Sequence, residues 1–214
     1  MNVQIELLGG FAVRVDGRTI PATEWRRRQA ASLVKLLALA PRRTLHREQV
    51  IDALWPDIAI DDAGPRLHKA AHFARRVLGD SGVLVLSGDT VSLFPNATVV
   101  VDVEEFERGA MQAIAVLDRD PGGGVAAVSA ADQWGGELLP DDPYEAWLEG
   151  PRDRLRQLHQ ELLRRSGRWS ELVLDDPADE EASLARARQL ADKGNRGAAL
   201  RQLESHGGWP QSRC

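Results

Sequence analysis

Cysteine and long apolar runs are both scarce in this chain. Its single cysteine, Cys214, occupies the last position and cannot form an internal disulfide, so nothing calls for an oxidising compartment and we expect a cytoplasmic protein. Apolar stretches such as 36–40 fall far short of the roughly 20 residues that cross a bilayer. The N-terminus alternates apolar and polar residues, whereas a signal peptide carries a continuous apolar block. The sequence therefore predicts no role in a membrane.

Motifs of enzymes and cofactor sites are missing as well. The sequence has no G-x-x-x-x-G-K-S/T phosphate loop, nucleophile elbow, metal-binding cluster or dinucleotide fingerprint. His68 and His72 are four residues apart and follow Asp61 and Asp62, a spacing that could hold a metal ion. No third convincing ligand and no glutamate base accompany them, so we expect no metal, no cofactor and no catalytic residue. The sequence predicts a protein that is not an enzyme.

Charge is unevenly distributed along the chain, although the total is only −5. Residues 1–100 contain 13 Lys and Arg against 10 Asp and Glu, a net charge of +3. Residues 101–214 contain 14 Lys and Arg against 22 Asp and Glu, a net charge of −8. The basic half is therefore the better candidate for contact with nucleic acid, and the acidic half for contact with protein.

The N-terminal half begins with a strand pattern and continues with a helical one. Apolar and polar side chains alternate over 3–15, and Asp16-Gly17 follows as a turn, so we expect a small antiparallel sheet. Apolar residues then recur every three and four positions, which predicts a first helix that ends before Pro41. The same spacing predicts a second helix over about 45–55.

A third helix and a hairpin complete this half. The helix is predicted over 62–78, and Gly79 ends it. Two short apolar runs, 83–86 and 90–94, are separated by a turn and predict a β-hairpin. Strands, three helices and a hairpin in this order describe a winged helix, in which a helix-turn-helix core is extended by a hairpin wing.

The C-terminal half shows helical periods only. Asp102, with Glu105 three residues later, predicts a capping box at the start of a helix. A later long helix is predicted to carry Tyr144 and Trp147, and Gly150-Pro151 should kink or interrupt it. This half is therefore predicted to be all-helical.

A weak internal repeat follows in the same half. Gly167 and Gly194 are each followed five and six positions later by two small or apolar residues, as in the turn between the helices of a tetratricopeptide repeat. The two glycines are closer together than the roughly 34-residue period of such repeats. The sequence nevertheless predicts two stacked helical hairpins.

Five segments in the same order resemble the Streptomyces antibiotic regulatory protein family, with its OmpR-type winged helix and bacterial transcriptional activator domain. The segments are LLGGFAV (7–13), EQVIDALWPD (48–57), LHKAAHFARRVLG (67–79), GELLPDDPYEAW (136–147) and RDRL (152–155). None is diagnostic alone, but together they cover nearly the whole chain. The family's helical domain usually continues further, so residues 207–214 are expected to be a truncated or an aberrant end. Without a phosphate loop, no ATPase function can be carried over.

The resemblance implies a fold and a function. It implies an α+β OmpR-like winged-helix DNA-binding domain over 1–97 and an all-α, tetratricopeptide-like activator domain over 98–214. Proteins of this family bind direct repeats near promoters as dimers and recruit RNA polymerase, so the chain is expected to be a sequence-specific transcription regulator, and an activator. The modest charge of the N-terminal half leaves open an alternative, an adaptor whose winged helix no longer binds DNA.

The third helix carries most of the predicted DNA-binding residues. If its aliphatic side faces the core, its cationic side faces a duplex, where Lys and Arg neutralise phosphates and Arg reaches guanine edges in the major groove. Residues near the start of a recognition helix usually reach bases. The predicted base readers are Arg66, His68, Lys69 and His72, and the residues predicted to hold phosphate or the fold are Arg75 and Arg76.

Further predicted contacts lie beside this set. Phe73 is unusual on such a face and is expected to pack on the wing or to touch a thymine methyl group. Arg42 and Arg43, together with the run 26–28, are candidates to clamp phosphates, although charge runs are often only a solvated surface.

Overall fold

The structure is a computed structural model that describes residues 1–120 and 124–204. The sequence PGGG at 121–124 predicts a flexible loop; its first three residues, and the end of the chain from 205 with Cys214, lie outside the described residues. The chain divides into two compact units: unit 1 comprises 1–107 and 135–153, and unit 2 comprises 108–134 and the residues from 154 onward. The N-terminal part is mixed α/β and the remainder is helical, as the periodicity predicted.

Strands and helices are numbered in chain order. The strands of the described residues are β1 (Asn2–Glu6), β2 (Ala12–Val15), β3 (Arg18–Pro21), β4 (Thr44–His46), β5 (Leu84–Ser87), β6 (Thr90–Leu93) and β7 (Thr98–Val101). The α-helices of the described residues are α1 (Arg28–Leu39), α2 (Arg47–Leu54), α3 (Ile60–Leu78), α4 (Asp102–Leu117), α5 (Gly124–Ala131), α6 (Glu149–Ser166), α7 (Trp169–Asp175), α8 (Glu180–Asp192) and α9 (Arg196–Glu204).

The first sheet of unit 1 has the strand order β3-β2-β1-β7. The predicted antiparallel pairing is present between β1 and β2 and between β2 and β3. Val3 and Ile5 of β1 are buried while their neighbours along the strand are exposed, so one face of the sheet lies in the core. β7, which pairs in parallel with β1, was not predicted, because its four residues, TVVV, show no alternation.

The second sheet has the order β4-β6-β5 and lies beside α1, α2 and α3. The predicted hairpin is present as β5 and β6, and β4, which precedes α2, adds an edge that the sequence analysis did not foresee. α1 ends before Pro41 and α2 ends before Pro56, as expected of residues that cannot continue a helix. α3 ends at Gly79, whose φ of 88° allows the left-handed turn that closes a helix.

A carboxylate connects the end of β1 to the start of α4. Asp102 accepts hydrogen bonds from the backbone N–H groups of Leu7 at 2.8 Å, Leu8 at 2.9 Å and Val103 at 2.8 Å. Burial raises the pKa of Asp102 above its ordinary value of 3.8. The three hydrogen bonds lower the pKa, but the effect of burial is larger. Asp102, which the sequence predicts as the cap of α4, therefore connects the first turn of this helix to the residues that follow β1.

Residues 135–153, which we call the return segment, belong to unit 1. Gly9 N–H donates to the carbonyl of Glu137 at 2.8 Å, and Leu139 N–H donates to that of Leu7 at 2.9 Å. Arg152 donates to three carbonyls within the segment, at 2.6 to 3.0 Å, which fixes the turn that begins at Leu138. Unit 1 is thus assembled from two stretches of sequence.

The compact units divide the chain differently from the predicted domains 1–97 and 98–214. Unit 1 also contains residues 98–107 and the return segment. The difference arises because β7 and the return segment are held by hydrogen bonds to β1 and the loop after it, far away in sequence. Local periodicity carries no information about such pairs.

The prediction that Gly150-Pro151 would kink a long helix carrying Tyr144 and Trp147 is wrong. α6 begins at Glu149, so Pro151 lies in its first turn, where the missing N–H breaks no helical hydrogen bond. Tyr144 precedes the helix, and Trp147 lies in a short 3-10 turn. Gly150-Pro151 therefore marks the start of a helix and not a kink within one.

In unit 2, short turns separate α6 from α7 and α8 from α9. Gly167 follows α6 with a φ of 70°, and Gly194 follows α8 with a φ of 81°, so both glycines of the weak repeat end a helix in the left-handed region. Trp134 stacks on His159 with ring centroids 4.6 Å apart. Burial lowers the pKa of His159, because a charged imidazole is poorly hydrated there.

Candidate nucleic-acid interface

The helix α3 has one buried face and one exposed face. Its buried side chains recur at helical spacing: Ala63, Leu67, Ala70, Ala71, Ala74 and Leu78. The predicted base readers Arg66, His68, Lys69 and His72 are all exposed, as is Arg76. Because a helix repeats every 3.6 residues, the positions opposite the buried stripe share one surface.

The exposed face has a centre and two flanks. Lys69, His72 and Arg76, spaced by three and four residues, lie opposite the buried stripe and form its centre. Arg66 and Phe73 lie on the flank beside the start of α1. Three donor side chains in a row, on a helix whose other side is held by the core, are an arrangement that can contact phosphates and base edges together.

Arg75 connects α3 to the hairpin. Its guanidinium Nε donates to the backbone carbonyl of Leu84 in β5 at 2.8 Å, and the residue is half-buried. The sequence proposed two roles for Arg75, phosphate contact or support of the fold. The hydrogen bond to Leu84 is a contact of the second kind. This bond fixes the hairpin relative to α3.

Phe73 packs at the start of α1. The guanidinium of Arg27 lies 5.1 Å from the centre of the Phe73 ring, a cation–π distance, and His72 meets the ring edge-on with centroids 5.6 Å apart. The ring is half-buried. The partners predicted for Phe73 were the hairpin wing or a thymine methyl group, and its contact with Arg27 was not predicted. In the sequence, the arginine run 26–28 showed only a concentration of positive charge and no specific contact.

Arg42 and Arg43 form a turn between α1 and β4, and both have positive φ, at 54° and 55°. Positive φ is strained for a residue with a Cβ, so the surrounding structure holds this turn in place. Arg43 is half-buried with a terminal nitrogen 3.7 Å from a carboxylate oxygen of Glu104, whereas Arg42 is exposed. Arg42 is thus the more available of the two cations.

A cleft lies between the start of α1 and the flank of α3, and we call it the basic cleft. Its volume is about 420 Å³. It is lined by Arg27, Arg28, Gln29, Ala30, Trp55, Arg66, Lys69, Ala70 and Phe73. Arg28 pairs with Glu145 of the return segment at 2.8 Å, so this segment helps to position the start of α1.

Two other kinds of site receive no support in the described ranges. Across residues 1–120 and 124–204, no group of three or more His, Cys, Asp or Glu side chains is arranged to hold a metal ion. Among the helices of these same ranges, none combines the length and the apolar character needed to cross a membrane.

Comparisons with known proteins find similarity in structure. No family model and no curated protein sequence matches the chain. Among solved structures, the chain is similar to Mycobacterium tuberculosis EmbR in complex with a low affinity phosphopeptide, with a TM-score of 0.63 and 18% sequence identity. The match covers 94% of this chain and 58% of the EmbR chain, so this chain spans less than two thirds of that protein. The mixed α/β part and the helices therefore adopt a fold like that of EmbR.

Proposed function

We propose that this chain is a transcription regulator that binds DNA sequence-specifically through α3. In this proposal unit 1 acts as a winged helix, with α2 and α3 as the helix-turn-helix and β5–β6 as the wing. The observation that carries the proposal is the exposed row of Lys69, His72 and Arg76 on a helix whose opposite side is buried in the core.

The chemistry of this row suits a duplex. The major groove is wide enough for a helix, and its base edges offer acceptors to guanidinium and imidazole donors. Arg66, His68 and Lys69, in the first half of α3, are placed to reach base edges, whereas Arg76 near its end is placed to reach phosphate. Arg75 contributes by holding the hairpin, and Arg42 supplies a further phosphate contact.

The helical part is proposed to contact proteins. Residues 101–214 carry a net charge of −8, which disfavours contact with DNA and suits basic protein surfaces. The resemblance to antibiotic regulatory proteins supports a tetratricopeptide-like activator domain, and the acidic charge suits its proposed contact with RNA polymerase. The same resemblance supports binding as a homodimer to direct repeats near promoters.

Selection of bound fragments from random DNA tests the proposal and supplies a target. The full chain should enrich one motif, and its titration at two salt concentrations by fluorescence anisotropy should show affinity falling steeply with salt. Lys69→Ala should weaken binding, and should reduce the slope of log K against log salt by about one if Lys69 holds a phosphate.

A second lysine provides a matched control. Lys193 is exposed and follows α8, so Lys193→Ala removes the same charge from unit 2 and should leave DNA affinity and salt slope unchanged. Enrichment of no motif, together with weak binding at low salt, would refute DNA recognition and favour the adaptor alternative. Equal effects of the two lysine variants would refute the role of α3.

A further inference from the structure

The basic cleft has an apolar floor. Ala30 is 1%, Ala70 4% and Trp55 7% exposed, and the half-buried ring of Phe73 forms one wall. Water on such a floor has few polar partners, so replacing this water with an apolar group is favourable. The floor therefore favours a ligand with a flat hydrocarbon face.

The rim of the cleft is cationic. Arg27, Arg66 and Lys69 are exposed around it, and none of the described residues that line it is acidic. Arg28 is already paired with Glu145, so three cations remain to attract an anion. The rim therefore favours a negatively charged ligand, whereas the apolar floor alone would not distinguish a charged ligand from a neutral one.

The start of α1 adds to this preference. Arg27 is the N-cap residue of the 12-residue helix, and no side chain caps the helix there. The first N–H groups of a helix have no partner within it, and the helix dipole is positive at this end. Arg28 and Gln29, the first two residues of α1, line the cleft, so the positive end of the helix lies beside its cationic rim.

We propose that the basic cleft binds a small planar aromatic anion, a ring system bearing a carboxylate, sulfonate or phosphate, and that this ligand competes with DNA. The volume of about 420 Å³ lies within the range of small-molecule pockets and exceeds what one phosphate fills. Competition rests on the proposed function, because Arg66 and Lys69 belong both to the cleft and to the proposed DNA-binding face. Ligand binding and DNA binding then draw on the same two cations.

The fluorescent dye anilinonaphthalene sulfonate is a suitable probe, since it combines fused rings with a sulfonate and brightens in apolar sites. We expect saturable binding to the full chain. Arg27→Gln and Phe73→Leu should each weaken it about tenfold, because each removes one strong contact. Ala70→Leu should also weaken binding, because the larger side chain would occupy part of the cleft. Circular dichroism checks that each variant is folded.

The groove between α8 and α9 supplies the matched control. It is mostly apolar, is lined by two arginines, Arg188 and Arg196, and has a volume of about 450 Å³. Arg188→Gln should leave the dye affinity unchanged. Dye binding that Arg188→Gln abolishes, or that folded Arg27→Gln and Phe73→Leu variants retain in full, would overturn the ligand site.

Displacement by the selected DNA separates this inference from the proposed function. Release of the dye as the DNA saturates α3 supports competition, and dye that stays bound on a DNA-saturated chain overturns it. If the chain binds no DNA but binds dye in an Arg27-dependent way, the proposed function fails and the ligand site stands.

Discussion

Breaking the buried ion pair between Lys35 and Asp142 should destabilise unit 1 strongly. Lys35 Nζ lies 2.6 Å from Asp142 Oδ2, and the two side chains are only 10% and 9% exposed. The ammonium group also lies 4.7 Å from the centre of the Phe11 ring. Removing one partner leaves the other charge buried and uncompensated, which typically costs about 3–5 kcal/mol.

The slight exposure of both side chains places this pair at the lower end of that range. We therefore expect Lys35→Met and Asp142→Leu each to lower the free energy of unfolding by about 3 kcal/mol. The double variant replaces two charges with apolar side chains and should recover much of the loss, because no unpaired charge remains. A double-mutant cycle isolates this coupling.

Urea unfolding of the four proteins, followed by tryptophan fluorescence, measures these free energies. Because Asp142 lies in the return segment, the single variants should also make residues 135–153 more accessible to proteases. Single variants that cost less than about 1 kcal/mol would refute the reasoning, since that is the level of an exposed pair. Additive losses in the double variant would refute it too, because they imply no coupling.

Two further predictions concern stability. Gly9→Ala should cost more than about 2 kcal/mol in urea unfolding, because its φ of 75° is strained for alanine and the added Cβ would lie 2.3 Å from a carbonyl oxygen of the return segment. Gly17→Ala, at a φ of 87° with nothing within 4 Å of the added Cβ, should cost only about 1 kcal/mol, and equal losses would contradict the close approach. The backbone N–H of Ala182 and the Arg164 guanidinium hold the pKa of Asp179 below its ordinary value of 3.8, so the carboxylate stabilises unit 2 above that pH and loses this effect as pH falls through the lowered pKa. Asp179→Asn keeps a capping oxygen but loses the charge, so unfolding curves should show it less stable than the parent at pH 7, with the gap closing in acid. A gap that widens in acid would contradict this assignment.

Local chemistry determined the helices of the N-terminal half. Apolar spacing in the sequence predicted α1 and the inward stripe of α3, and it follows that the cations between the stripe positions face outward. Proline and glycine predicted helix ends at Pro41 and Gly79. These features depend on residues within a few positions of one another, which a single sequence displays directly. The exposed face proposed to bind DNA was therefore predictable in most of its members.

Only the tertiary structure decided which distant residues meet. Lys35 and Asp142 are 107 positions apart, and the pairing of β7 with β1 places Thr98 opposite Asn2. The stacking of Arg27 on Phe73 likewise depends on how α1 approaches α3. Such contacts follow from packing, in which hydrophobic burial is non-directional and many partners satisfy the same local pattern. The sequence by itself thus determined the cationic face of α3, whereas tertiary packing created the cleft beside it and the segment that supports it.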